Sequence, residues 1–117
     1  IVSSVAGYRG LPKSISYGPT KAALINLAEA LKVDPAKYQV DVKLICPGFV
    51  DPPATKINDF EMPFLISSEK AAKIIKKKIN QKGFEISFPF PFSFIMKFVR
   101  IIPYWLYFKK ISKLVNK

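Results

Sequence analysis

Apolar positions recur along the chain with two different periods. Between Ser16 and Leu31, Ala23, Leu24, Leu27, Ala28 and Leu31 repeat every three or four residues, which predicts a helix. Ser14 or Ser16 is placed to cap its start, and Pro35 forbids continuation one turn after Leu31. Residues 40–46 alternate instead, with Val40, Val42, Leu44 and Cys46 on one side, and predict a strand. Pro47-Gly48 ends that strand, and Asp51-Pro52-Pro53 predicts an irregular segment after it. A second helix is expected over Ser68–Gln81, opened by Ser67 or Ser68 with Glu69 and stopped by Gly83. Phe84–Phe88 alternates again as a short strand, while residues 1–4 read as a strand end entering a loop with Gly7, Gly10 and Pro12. Strand, helix, strand, helix, strand is the order of a parallel sheet with helical crossovers. Beyond Pro89 the text changes to aromatic and basic residues. Pro103 divides it into two predicted helices, about Phe92–Ile101 and Tyr104–Val115.

Composition narrows the chemistry. Half of the 117 residues are apolar, enough for one small core. With no histidine and a single cysteine, Cys46, the chain offers no Ser–His or Cys–His pair, no internal disulfide and no zinc-ligand spacing. Cys46 beside Pro47 in an apolar run is expected to be a buried small hydrophobe, and the reducing cytoplasmic side is the expected compartment. The net charge of +11 gathers at Lys70–Lys82 and Lys97–Lys117. No helix-turn-helix, zinc-finger or RNA-binding sheet pattern accompanies it, so nucleic acid is not the expected partner. The run Lys76–Lys78 is expected to lie in solvent. The first residues show neither an initiator Met nor a leader, and the chain is expected to be the later part of a longer polypeptide.

Tyr17 and Lys21 stand four apart at the start of the first helix and share a face. A phenol titrates near pH 10 and is a poor proton donor or acceptor at neutrality unless a nearby cation favours phenolate. An ammonium one turn away supplies that cation, and the helix N-terminus adds a smaller effect of the same sign. A hydroxyl such as that of Ser4 could then hold a substrate oxygen in line with the phenol. Tyr-x-x-x-Lys alone is equally an ordinary surface pair.

The surrounding blocks are more specific. Ile1-Val-Ser-Ser-Val-Ala-Gly7, then Gly10 and Pro12, then Tyr17-Gly-Pro-Thr-Lys21-Ala-Ala, then Cys46-Pro47-Gly48-Phe49-Val50-Asp51 resemble the short-chain dehydrogenase/reductase family in order and spacing. The resemblance covers residues 1 to about 56 closely and 57–88 in general layout. It implies an α/β fold, the C-terminal portion of a Rossmann-like doubly wound parallel sheet over residues 1–88, with 89–117 as a basic-aromatic helical extension. It also implies that Ser4 orients a substrate carbonyl or hydroxyl, that Tyr17 passes the proton, and that Lys21 holds the nicotinamide ribose and tunes the tyrosine. Ser3 is expected to be structural. Pro47, Gly48 and Val50 match the turn lining the nicotinamide, and Gly48 suits a close backbone approach to the cofactor. The implied cofactor is NAD or NADP, and no metal is implied. Two positions depart from the family: Pro52 stands where a cofactor-binding threonine is usual, with Thr55 three residues on, and Pro35 replaces an apolar residue. The glycine-rich phosphate turn and the residue that selects between the nicotinamides lie upstream in this family, so the chain alone is expected to lack turnover.

The function so implied is a nicotinamide-dependent interconversion of a carbonyl and an alcohol. The alternative is a non-catalytic peripheral membrane or interaction module on the same scaffold. For residues 89–117 three readings stand: Phe90, Phe94, Phe98 and their neighbours cover a cleft or subunit interface, the segment meets an anionic membrane surface, or it admits a lipid-like substrate. By resemblance, the helix bearing Tyr17 implies a homo-oligomer.

Overall fold

The computed structural model describes residues 1–34, 39–51 and 61–117. Pro35, Pro52 and Thr55, on which two sequence expectations rest, lie outside them. The elements run as a single 3-10 turn Val5–Gly7, α1 Tyr17–Val33, β1 Leu44–Pro47, β2 Val50–Asp51, β3 Ile66–Ser67, α2 Ser68–Lys78, β4 Glu85–Phe88, α3 Phe92–Arg100 and α4 Tyr104–Val115. Pairing is parallel throughout. β1 takes β4 on one side, Leu44 opposite Glu85 and Ile45 opposite Ile86. On the other side Val2 bridges Ile45: the Ser3 N–H donates to the Ile45 carbonyl at 2.7 Å and the Ile45 N–H to the Ile1 carbonyl at 2.9 Å. β2 and β3 add a short parallel pair. The expected α/β arrangement with parallel strands is therefore present.

Alternation along β1 divides the core in two. Leu44 and Cys46 face Val5, Tyr8, Ile25, Ala28 and Met96, so α1 and α3 cover one side. Ile45 faces the opposite side with Ile66, Ala71, Ile86 and Phe88, which α2 covers. Helices on both sides explain why β1 is apolar at every position, since each such side chain gains about 1.5–3 kcal/mol on full burial. Cys46 is free and buried, and burial pushes its thiol upward from the usual range, as an inert packing residue requires.

Several elements depart from the sequence expectation, each for a visible reason. The strand expected over 40–46 pairs only from Leu44. Before it, Asp41 is drawn to Lys32 at 3.1 Å and to Lys43 at 3.4 Å, and the Lys43 ammonium donates to the carbonyls of Gln81 and Gly83, both at 2.6 Å. The Lys32 hydrogen bond and the Lys43 charge hold the Asp41 carboxyl below its ordinary range. β2 is not foreseen and ends on Asp51, where the irregular segment is expected to begin, because two residues are too short for any period to show. α2 begins where expected, the Ser67 hydroxyl accepting from the Lys70 N–H at 3.1 Å, but ends at Lys78 rather than Gln81. Gly83 then takes φ +115°, and Lys76–Lys78 are exposed as expected. Ser16 occupies the cap position of α1 without a side-chain bond, and Ser14 contributes its carbonyl to the Gly18 N–H at 2.9 Å.

α1 differs most. Its helical repeat is real, yet only Gly18, Ile25 and Ala28 are buried, while Leu27 and Leu31 remain 47% and 40% exposed. Besides packing Ile25 and Ala28 on the core, the helix lies close against the Val5–Gly7 turn, where a Cβ on Gly7 would stand 2.8 Å from both the Lys21 carbonyl carbon and Ile25 Cδ1. A glycine is required there because the obstacle is helix backbone, which cannot swing aside.

Candidate active site

Ser4 and Pro47 leave the sheet at the carboxyl ends of two adjacent parallel segments. Open α/β sheets take their ligands in the crevice outside such strand ends. Ser3 and Ser4 point to different tasks. The Ser3 hydroxyl donates to the Lys21 carbonyl at 2.7 Å, tying the strand end to the first turns of α1. Ser3 is therefore structural, as expected. The Ser4 hydroxyl accepts from the Ala6 N–H at 3.1 Å, capping the 3-10 turn, and its proton faces the Pro47 carbonyl at 3.5 Å. A hydroxyl carries one donor and two acceptor sites. At 3.5 Å the donor is weakly committed and free to turn to another oxygen, while the cap uses only an acceptor site.

Tyr17 and Lys21 stay together on α1. The Lys21 ammonium lies 5.4 Å from the centroid of the Tyr17 ring. Tyr17 is 52% exposed, so its phenol is open to an incoming molecule, and Lys21 is half-buried beside it. The structure thus brings Ser4 to Pro47, Tyr17 to Lys21, and joins the two pairs through Ser3. By their chemistry these side chains could hold a nicotinamide nucleoside and a carbonyl oxygen: an ammonium suits ribose hydroxyls, and a phenol and a serine suit the oxygen.

The Pro47–Gly48–Val50 turn is fixed by the fold. The Gly48 N–H donates to the Phe88 carbonyl at 2.7 Å, and Val50 packs against the core on the α2 side. The sequence expectation gave Gly48 to cofactor approach. The space a Cβ would fill is instead taken from within the chain, by Phe92 at 2.9 Å and Pro89 at 3.0 Å. Phe92 also stacks on Phe49 at 5.8 Å and on Phe64 at 5.7 Å. The segment after Pro89 therefore roofs the Pro47–Gly48 turn through Phe92. Of the rings expected to form a cover, Phe90, Phe94 and Phe98 are 81%, 63% and 60% exposed, and it is their neighbour Phe92 that turns inward. No spacing in the chain distinguishes Phe92 from these neighbours.

Sequence reasoning also missed the fastening of this region. The Tyr8 hydroxyl donates to Glu85 Oε2 at 3.0 Å, and Glu85 pairs with Lys97. Burial is the main reason the Tyr8 phenol is pushed far above its ordinary range, reinforced by Cys46 and Glu85. The larger hollow, about 340 Å³ and lined by Ile1, Asp41, Lys43 and Ile79, opens by the amino ends of the strands and touches none of the candidate residues. A second, about 210 Å³, runs along Gly7, Gly10, Gly18 and Ala22 at the first turn of α1.

Comparison with known proteins finds relatives among oxidoreductases. The chain is 37% identical over 102 residues to an uncharacterized oxidoreductase of Myxococcus xanthus, covering 87% of this chain and 40% of that protein. It is 42% identical over 55 residues to a 3beta-hydroxysteroid dehydrogenase of Mediterraneibacter gnavus, 47% of this chain and 20% of that protein. With an acetoacetyl-CoA reductase of Synechocystis it shares 35% identity over 76 residues, 65% of this chain and 28% of that protein. The chain thus spans less than half the length of these relatives. The family model for short chain dehydrogenase matches residues 1–62, which include all six candidate site residues. The chain belongs to the short-chain dehydrogenase family.

Proposed function

We propose that this chain contributes the proton-transfer and oxygen-binding residues of an oxidoreductase that interconverts a carbonyl and an alcohol with a nicotinamide cofactor, NAD or NADP. The observation carrying this reading is the pairing of an open Tyr17 with Lys21 on a helix that Ser3 ties to the strand end, where the adjoining Ser4 holds its proton weakly. A bound nicotinamide would supply or accept the hydride. In reduction Tyr17 Oη gives its proton to the substrate oxygen, and in oxidation it takes that proton back. Ser4 Oγ turns its donor from the Pro47 carbonyl to the same oxygen and steadies it as charge builds there. Lys21 would hold ribose hydroxyls with its ammonium donors, beside the Tyr17 ring. Pro47 would face the nicotinamide side, while Gly48 and Val50 hold the turn in place under Phe92 and against the core.

The substrate is a small carbonyl or alcohol compound. Phe49, Phe64 and Phe92 stacked beside the turn favour one with an apolar body. Relatives named for a hydroxysteroid and for acetoacetyl-CoA accord with alcohol oxidation and carbonyl reduction alike. The test is nicotinamide turnover by the protein carrying this segment, measured for wild type and Tyr17→Phe. Loss of a general acid–base group lowers turnover by roughly 10²–10⁴-fold. Because Tyr17 is half exposed, thermal stability stays within about 0.5 kcal/mol of wild type. Undiminished turnover by Tyr17→Phe sinks the proposal and leaves the scaffold as a binding module.

A further inference from the structure

From residue 86 to the last residue the chain carries six basic side chains and no acidic one. α3 and α4 dispose of them differently. In α3, Lys97 pairs with Glu85, and Arg100 pairs with Glu29 at 3.5 Å and lies over the Tyr8 ring at 5.8 Å. In α4, Lys109, Lys110 and Lys113 are exposed and form no ion pair among the described residues. At 3.6 residues per turn these three lysines fall on one side of α4, with Leu106 the one apolar residue among them. Tyr104, Trp105, Phe108, Ile111 and Val115 fall on the other.

That apolar side is only pinned at one edge. The Tyr107 hydroxyl donates to the Gly10 carbonyl, and the Arg9 guanidinium sits 4.4 Å from the Tyr107 ring and 4.7 Å from that of Tyr104. Ile111 is half-buried and the aromatic residues are open: Trp105 is 70% exposed and Phe108 57%, with Tyr104 stacked on Phe108 at 5.7 Å. Open aromatic residues on one side and unpaired lysines on the other form the pattern of a helix lying in a bilayer interface. Tyrosine and tryptophan favour that boundary because each has an apolar body and a polar tip. Lysine stems are long enough to bring their ammonium groups to anionic headgroups from the polar side. A second copy of the chain is a poor cover, since it brings the same unpaired lysines and no carboxylate within this segment to meet them. No helix among the described residues is long and apolar enough to cross a membrane.

We propose that α4 docks the chain on an anionic phospholipid surface, with Tyr104, Trp105 and Phe108 in the headgroup–acyl boundary and Lys109, Lys110 and Lys113 against the headgroups. This stands apart from the oxidoreductase reading and would survive its failure. Trp105 is the single tryptophan, so its emission reports the docking face alone. The experiment titrates the full chain with vesicles of phosphatidylcholine alone and of phosphatidylcholine with roughly one-third phosphatidylglycerol, whose negative surface attracts each nearby lysine. Expected are a blue shift and co-sedimentation on the anionic vesicles only, with quenching of Trp105 by lipids brominated near the headgroup. Binding weakens when ionic strength rises from about 0.1 to about 1 M, which shortens the screening length from about 10 to about 3 Å. The variant Lys109→Gln/Lys110→Gln/Lys113→Gln alters only exposed, unpaired side chains and partitions on the order of 100-fold more weakly. The proposal is overturned by an unchanged emission, or by equal response to neutral vesicles. A Trp105 spectrum already blue in buffer, with no further shift on lipid, also overturns it and assigns the face to a second copy or to another segment of protein.

Discussion

The strand-end region and the segment after Pro89 are both needed to shape the candidate site, but they are held in different ways. Around Ser4 the parts are locked by backbone. Adjacent parallel strands exchange N–H···O bonds, Ser3 ties the strand to α1, and Gly7 lets the α1 backbone approach more closely than any side chain allows. After Pro89 the attachments are mainly side chains: Phe92 over Gly48, Lys97 and Arg100 on their carboxylates, Tyr107 and Arg9 at the root of α4. The first region offers one geometry, as proton transfer requires. The second is fastened at a few points and leaves much of its aromatic surface outside.

This contrast can be broken with pH, which has the largest expected effect. Tyr8, Cys46 and Tyr107 all have ionisations pushed upward, chiefly by burial. In each case the folded state keeps its proton where the unfolded chain has released it. Stability is therefore full below about pH 8 and falls as pH rises, first through the ordinary thiol range and then through the phenol range, by at most about 1.4 kcal/mol per pH unit for each group past its ordinary value and least for Tyr107. Tyr8 and Cys46 belong to the core under β1, and Tyr107 to the root of α4. Alkaline titration followed by circular dichroism should report the core, and Trp105 emission should report α4. Tyr107→Phe should remove alkaline sensitivity from the second signal and leave the first; identical changes in both signals would contradict the division.

Gly7→Ala has the next largest effect. Its methyl meets helix backbone at 2.8 Å, and overpacking of this kind costs about 1–3 kcal/mol. Since α1 must move away from the Val5–Gly7 turn, Tyr17 and Lys21 shift relative to Ser4, and turnover should fall with stability. Gly48→Ala gives a milder comparison, because its nearest obstacles are side chains, Phe92 at 2.9 Å and Pro89 at 3.0 Å. Thermal unfolding of the two variants side by side checks the order. A greater loss in Gly48→Ala would show that the two regions are not held as described.

How far the sequence could be read follows the same division. The strand-end region was legible because its signals are local: a helical repeat after Tyr17, alternation up to Cys46, a Pro-Gly stop, and paired serines at a fixed distance from Tyr17. Its shortfalls came from non-local partners. Leu27 and Leu31 fit the helical repeat, but a repeat does not say which neighbour is present to cover it. Val40–Lys43 alternates properly, yet Lys32, Gln81 and Gly83 draw its charged residues out of the ladder. In the later segment, Pro103 marked the break between α3 and α4 and both helices lie close to the expected bounds. Their attachments were hidden. Nothing near Lys97 and Arg100 in the sequence shows that Glu85 and Glu29 arrive to pair with them, and nothing in Phe-Pro-Phe-Pro-Phe marks Phe92 as the inward ring.

The central claim is that the strand end is a reaction site rather than scaffold alone, and the two adjacent serines test it most directly. Ser3→Ala removes the bond to the Lys21 carbonyl and leaves the Ser4 hydroxyl in place; Ser4→Ala removes the hydroxyl beside Pro47. Both should lose about 1 kcal/mol of stability, one from a buried hydrogen bond and the other from a cap. Turnover and thermal unfolding should be measured together on the protein carrying this segment. The account predicts that Ser4→Ala loses roughly 10²–10³-fold in turnover, as removal of an oxyanion donor does, while Ser3→Ala stays within about tenfold of wild type. Equal turnover in the two variants, at equal loss of stability, would contradict it.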